Sequence, residues 1–381
     1  MGELTNYIET LRDIIAECLY IPPVDLDMID FIFATYASNR MPGDPLWGAV
    51  VDASGGGKTE LLRSLRPQPD TYFLSKLTSK TLKSGYRDPK HPGKDPSLLL
   101  ELDGKVVVIK DLSPLLSMRR DDRNSIISDL RDAYDGFSDD GYGNVGKVSY
   151  TSKFTLLAAS TMAIERYDRV EQELGERLVK FRARGTDNLA KVKRAVTNIG
   201  MDDDWREVIN ESVSDFLAAL PDDFPKRIPQ PLSDAVVTVA NFTATARSHV
   251  PRDRSHELSY IPRAEVGTRL VKELAKLLLS LAFIRGKSEP DLDDLATVCR
   301  VAKDCLPPNR LEVLEAAVNE RECALPESTA RNTVADLVVL GVLKPATEFT
   351  NAWEKSLREL RNLLKADRLH ARVTTGVSVF F

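Results

Sequence analysis

Residues 46–65 read LWGAVVDASGGGKTELLRSL. The run from Leu46 to Val51 is apolar without alternation, the pattern of a strand buried on both faces of a parallel sheet. Three glycines follow, Gly55, Gly56 and Gly57, where the absence of Cβ lets other groups approach the backbone closely. Lys58 and Thr59 then lead into Leu61, Leu62 and Leu65, which fall at helical spacing. In that order of strand, glycine turn and helix, backbone N–H groups wrap an anion, and the spacing reads as a phosphate-binding loop. Ser54, Gly55, Gly56, Gly57, Lys58, Thr59 and Glu60 are the expected nucleotide-contacting stretch, with ATP and Mg²⁺ as the expected ligands. Lys58 is expected on the β- and γ-phosphates and the Thr59 hydroxyl on the metal. One position departs from GxxxxGK[ST]: Asp52 stands where the first glycine belongs. A carboxylate there weakens phosphate binding unless it points away or pairs with a cation.

Hydrolysis needs a second strand ending in a carboxylate for Mg²⁺ or for the attacking water. The stretch GKVVVIKDLSPLL, 104–116, supplies one, with Val106 to Ile109 as the strand and Asp111 at its end. Lys110 stands where a first acid is usual, which leaves open whether Asp111 serves the metal or the water. KFTLLAAST, 153–161, reads as another buried strand with polar residues at its tip, and Thr161, with Ser160 beside it, is the expected holder of the water. Between them Ile126, Ile127, Leu130 and Tyr134 line one face of a helix that Gly136 ends. The glycine-rich segment 136–148 is expected as an exposed loop or hairpin, either a solvated connection or a partner contact through Lys147. Arg177, Arg182 and Arg184 follow, and Arg177 is the expected charge donor to a neighbouring subunit's nucleotide.

This order of parts resembles the AAA+ ATPases. VGTRLVKELAKLLLSLAFIRGKSEPDLDDLATVCRVA, 266–302, is similar to the helical lid of the MoxR and MCM branch, and the resemblance implies that Arg269 senses the γ-phosphate. KDLSPLLSMRRDDRNSIISDLRDAYDG and ATARSHVPRDR resemble uncharacterised ATPases carried by phages and mobile elements. The likeness covers about 45–305 and implies a homo-oligomer, a ring or a filament. In that family the stretch before the first strand often covers the base, so Tyr20 to Pro23 read either as that cover or as ordinary helix packing.

Outside that region, residues 4–38 read as two helices, with Ile8, Leu11, Ile15 and Leu19 on one face of the first and Met28, Phe31, Ile32 and Tyr36 on one face of the second. The basic segment ARSHVPRDRSH, with Arg247, Arg252 and Arg254, reads as a nucleic-acid grip, a subunit contact or a solvated loop. After residue 305, RLEVLEAAVNE and LPESTARNTVADLVVLGVLKP look like the helix-turn-helix of a winged helix, with HARVTTGVSVFF as its wing. Ser328, Thr329, Arg331 and Asn332 are the side chains it offers to DNA. Ten acidic and ten basic residues between Cys305 and Phe381 make DNA binding by this module alone weak and salt-sensitive.

The expected fold class is an α/β P-loop NTPase core, a parallel sheet flanked by helices, with an all-α lid and a C-terminal winged-helix domain. The expected boundaries are 1–40 for the N-terminal helices, 41–190 for the core, 191–304 for the lid and 305–381 for the winged helix. The function expected is ATP-driven remodelling of DNA or of a DNA-bound partner, as in replication initiation or helicase loading. The alternatives are a MoxR-like chaperone acting on a protein client and a nucleotide-gated DNA-binding switch with slow turnover. A net charge of −5 excludes a globally basic nucleic-acid binder, so any DNA contact is local. The four cysteines form no CxxC pair, and the opening MGELTNYIETLRD carries acidic residues early. No apolar stretch is long enough to span a bilayer, and the expectation is a cytoplasmic protein without membrane contact.

Overall fold

The apolar run forms strand β1 (Trp47–Val51), buried along its whole length. The computed structural model describes residues 2–78, 80–84, 97–143, 146–166, 177–185, 187–253, 255, 257–319 and 321–344. The remaining strands are β2 (Thr71–Leu74), β3 (Val106–Ile109), β4 (Phe137–Tyr142), β5 (Gly146–Thr151), β6 (Thr155–Ser160) and β7 (Val179–Arg182). Five of them form one parallel sheet in the order β2-β3-β6-β1-β7, while β4 and β5 pair as a separate antiparallel hairpin. Two sheet strands fall outside the expected set. In β7 the buried Lys180 and Arg182 interrupt the apolar pattern, and Glu165 compensates both at 3.9 and 2.8 Å. In β2 only Leu74 is fully buried, so no strong apolar run marks it.

Alternate residues of each strand point to opposite faces. Trp47, Ala49, Val51, Val107, Ile109, Leu156 and Ala158 join a core with Leu115 and Leu116 of α4 (Ser113–Leu116) and Ile126, Ile127, Leu130 and Tyr134 of α5 (Arg120–Asp135). Gly136 ends α5 in the left-handed region, at φ 89°, as the sequence predicts. The Trp47 ring meets Tyr134 edge-on at 5.2 Å, and its indole N–H donates to the Phe154 carbonyl at 2.8 Å.

The other face is covered by α2 (Asp27–Ala37), which approaches so closely that a Cβ on Gly48 would lie 2.9 Å from the Phe31 ring. The expected single apolar face of α2 is half of the picture, since every residue from Met28 to Ala37 is buried. Behind it Phe33 meets Phe216 of α7 (Asp202–Ala218) at 5.6 Å. Asp30 is fully enclosed there, bonded by Arg12 of α1 (Gly2–Leu19) and by Arg285. Burial alone would raise the Asp30 pKa, but the two guanidinium groups outweigh it and hold the carboxyl below its ordinary value.

The chain divides into two compact units, Met1–Phe224 with Phe283–Lys287, and Pro225–Ala282 with Ser288–Phe381. The first also contains α3 (Lys58–Arg63) and α6 (Asn188–Thr197). The second carries α8 (Gln230–Arg247), most of α9 (Thr268–Ile284), and α10 (Leu292–Asp304), α11 (Pro308–Val318) and α12 (Glu327–Val339). Asp291 and Asp294 start α10 with a reciprocal capping box. Arg310 of α11 donates to the carbonyls of Ala246 and Ser248 at 2.8 and 2.6 Å, tying α11 to the end of α8. In the basic segment Arg247 pairs with Glu265 at 3.0 Å and Arg252 with Asp336 at 2.6 Å, so these two guanidinium groups serve the unit's own packing. Arg254 and the wing expected at 370–381 lie outside the described residues. Among the described residues no helix is long and apolar enough to cross a membrane.

Candidate functional site

Parallel pairing brings the carboxyl ends of β1, β6 and β7 to one edge, with Val51 opposite both Ser160 and Arg182. Two backbone bonds extend this edge: the Asp52 N–H donates to Ser160 O at 3.3 Å and the Leu112 N–H to Ala159 O at 2.9 Å. Three connections therefore emerge side by side: the glycine loop after β1, Thr161 after β6 and Asp111 after β3. Because β6 lies between β1 and β3, Thr161 leaves the sheet between the loop and the acid. Such a carboxyl edge is where open α/β sheets bind ligands.

Two left-handed glycines shape the loop, Gly55 at φ 80° and Gly57 at φ 85°. Among the described residues, the N–H groups of Ser54, Gly55, Gly57 and Thr59 meet no protein acceptor, although the Gly56 N–H closes a turn onto Ala53 O at 3.3 Å. Successive amides left open by alternating backbone signs make an anion-binding concavity. Ser54, Gly55 and Thr59 are exposed, while Lys58 is only 7% exposed. Its ammonium folds back onto the carbonyls of Asp52 and Ala53 at 2.8 and 2.6 Å. Burial lowers the Lys58 pKa, with Lys191 acting in the same sense and Asp52 and Asp111 against it, so these charges share one electrostatic neighbourhood.

The departure from the loop pattern is resolved by pairing. Asp52 Oδ1 accepts the Ala53 N–H at 2.7 Å, and Oδ2 lies 3.4 Å from Nζ of Lys191 on α6. Asp111 is exposed, and its Oδ1 accepts the Ser113 N–H at 2.8 Å at the start of α4. The Thr161 hydroxyl accepts the Ala163 N–H at 3.3 Å. Glu60 is bonded by Arg206 of the neighbouring helix α7 at 2.9 Å and by Arg63 of its own helix at 3.1 Å. Burial raises its pKa, but the two arginines prevail and hold the carboxyl below its ordinary value.

Arg177 sits two residues before β7, whose Val179 pairs with Gly48 near the amino end of β1, at the edge opposite the loop. It is 5% exposed, bonds Asp135 at 3.0 Å and lies over the Tyr134 ring at 5.2 Å. The turn before α2 comes to the loop's edge of the sheet. Asp25 accepts the N–H groups of Arg184 and Gly185 at 2.9 and 2.7 Å, and Tyr20 donates to Asp187 at 3.1 Å. Arg269 is the second residue of α9, in the second unit. Ser328, Arg331 and Asn332 are exposed on the first half of α12, with Thr329 half-buried and Arg331 paired with Glu327 at 2.7 Å.

Sequence reasoning missed Lys191. It stands 139 residues from Asp52 in a helix with no buried residue, and the one available signal was the need of Asp52 for a cation.

Fold and edge together define an α/β protein with a five-stranded parallel sheet and a glycine loop at its carboxyl edge. No protein-family model matches the chain, and no curated protein matches it.

Proposed function

We propose that this chain is an ATPase of the AAA+ type that couples ATP binding and hydrolysis to remodelling of DNA or of a DNA-bound partner. One observation carries the reading: the open amides and lysine of the glycine loop, the Asp111 carboxylate and the Thr161 hydroxyl leave neighbouring strands at one edge of a parallel sheet. In this assignment the loop amides and Lys58 bind the phosphates, Thr59 and Asp111 hold Mg²⁺, and Thr161 orients the water. Arg177, acting on a neighbouring copy, and Arg269 add positive charge at the γ-phosphate, and the exposed side chains of α12 contact DNA. The Arg177 role requires its bonds to Asp135 to open.

The test is Mg²⁺-dependent ATP hydrolysis by the full chain across protein concentrations, with and without duplex and single-stranded DNA. We expect turnover that rises with protein concentration and with DNA, and that Asp111→Asn and Thr161→Ala each lower more than they lower ATP affinity. Absence of ATP binding would overturn the proposal.

A second reading, a nucleotide-gated switch with slow turnover, is favoured by Asp111 being engaged by the Ser113 N–H and by the carboxylate of Asp52 in the loop. ATP-dependent assembly with hydrolysis too slow to follow over minutes would select it.

A further inference from the structure

Asp52 is the one loop side chain to which the phosphate reading gives no task. It does not turn away. The carboxylate lies over Gly56, where any Cβ would collide with Oδ2, and the residue is 7% exposed. Oδ1 is occupied by the Ala53 N–H, which leaves Oδ2 to face Nζ of Lys191 at 3.4 Å. The Lys58 ammonium rests on the two backbone carbonyls of the same turn. Two ammonium groups and one internal anion therefore share a concavity of backbone amides. A half-buried ammonium needs a partner. The contact holding Lys191 is at the long end of hydrogen-bond range, so exchanging one anion for another is inexpensive.

We propose that Asp52 is the internal counter-anion of this loop and that Lys191 is a second phosphate-facing cation held in position by it. When a polyphosphate binds, both ammonium groups pass to its oxygens. The inference rests on reading 52–59 as a phosphate site, and it names the ligand class more narrowly. A chain of two or more phosphates satisfies both cations, and a single phosphate does not. Asp52 also competes with every ligand, so it tunes affinity downward.

The experiment is calorimetric titration of the full chain with Mg–ATP and with inorganic pyrophosphate. It compares the parent with Lys58→Ala, Asp52→Asn, Lys191→Met and the double variant Asp52→Asn/Lys191→Met, each checked for folding by denaturant unfolding. We expect Asp52→Asn to tighten both ligands several-fold and Lys191→Met to weaken both by about tenfold, the scale of one charged hydrogen bond. The decisive comparison is the double variant. If Lys191 contacts phosphate, its loss costs at least as much without the Asp52 charge as with it. If Lys191 only neutralises Asp52, its loss is silent in the Asp52→Asn background, and the proposal is overturned.

Should Asp52→Asn fail to fold, Lys191→Arg against Lys191→Met in the parent decides. Restored binding with arginine supports the assignment, and equal affinity of both variants with the parent overturns it. Failure of the underlying reading looks different: Lys58→Ala then binds Mg–ATP as the parent does, or the parent binds neither ligand. Loss of binding in Lys58→Ala beside a silent Lys191→Met leaves the phosphate site standing and removes only this inference.

Discussion

Two lysines of the α/β unit are almost equally hidden, Lys58 at 7% and Lys83 at 6% exposure, yet they are held in opposite ways. Lys83 is surrounded by side chains from fixed elements: Asp132 at 2.6 Å and Asp129 at 3.3 Å on α5, Asp140 at 2.9 Å and the Ser138 hydroxyl at 2.6 Å on the hairpin. Burial lowers its pKa, but the bonds to Asp132 and Asp140 prevail and raise it. Lys58 has no carboxylate within bonding distance among the described residues, and it leans on two carbonyls of a glycine turn. The first arrangement is closed, with its charge neutralised inside the protein. The second retains an ammonium that is easily redirected, next to backbone donors that protein acceptors leave open. A buried lysine by itself therefore says little about function. What its partners are made of, rigid carboxylates or a turn of glycines, separates a structural clamp from a binding group.

The contrast is broken most sharply at Lys58. Lys58→Ala is expected to reduce Mg–ATP affinity by about a hundredfold or more, the loss of a charge-assisted phosphate contact. The unfolding midpoint should hardly move, and calorimetry beside a denaturant melt checks both halves. At Lys83 the expectation reverses. Lys83→Met leaves three carboxylates facing one another and should cost about 3–5 kcal/mol, as when one partner of a buried ion pair is removed. Thermal unfolding would then fall by roughly 10 °C, and a midpoint within a degree of the parent would contradict the clamp.

A smaller effect is expected at Asp129. Burial raises its pKa, with Asp140 and Asp132 acting in the same sense and Lys83 opposing, from 3.8 to about 6. Folded protein thus holds this proton more tightly than unfolded chain. The stability it contributes is fully present below pH 3.8 and is lost as pH rises through about 6. Asp129→Asn should therefore be more stable than the parent above pH 6, by up to about 3 kcal/mol, with the gain shrinking below pH 4. Denaturant unfolding at pH 4, 5 and 8 tests this, and a difference independent of pH would count against it. The smallest effect is that of Lys191→Met on stability, about 1–2 kcal/mol, because Asp52 keeps the Ala53 N–H as a partner when the 3.4 Å contact is lost. A larger loss in the denaturant midpoint would move Lys191 into the structural class with Lys83.

The glycine loop, β1, β3, β6 and the stop at Gly136 were legible because each is signalled within a dozen residues, by an apolar run, a glycine cluster or a helical spacing. The hairpin 137–151 was legible as an insertion, but not its hold on Lys83, which joins residues about 50 positions apart. β7 was hidden because its buried Lys180 and Arg182 read as surface until Glu165 is seen beside them. Arg177 shows the converse: the sequence points to a charge donor for a neighbouring subunit's nucleotide, whereas within the chain Asp135 and Tyr134 already engage it.

Local chemistry thus determined β1, β3, β6, the helices and where the glycine turn falls, since dihedral preferences and side-chain periodicity act between near neighbours. Strand order, the burial of α2 on both sides and the meeting of Asp52 with Lys191 were decided by the tertiary structure. Those features depend on which distant surfaces exclude water together and on which charges must then find partners, and no stretch of sequence carries that information alone.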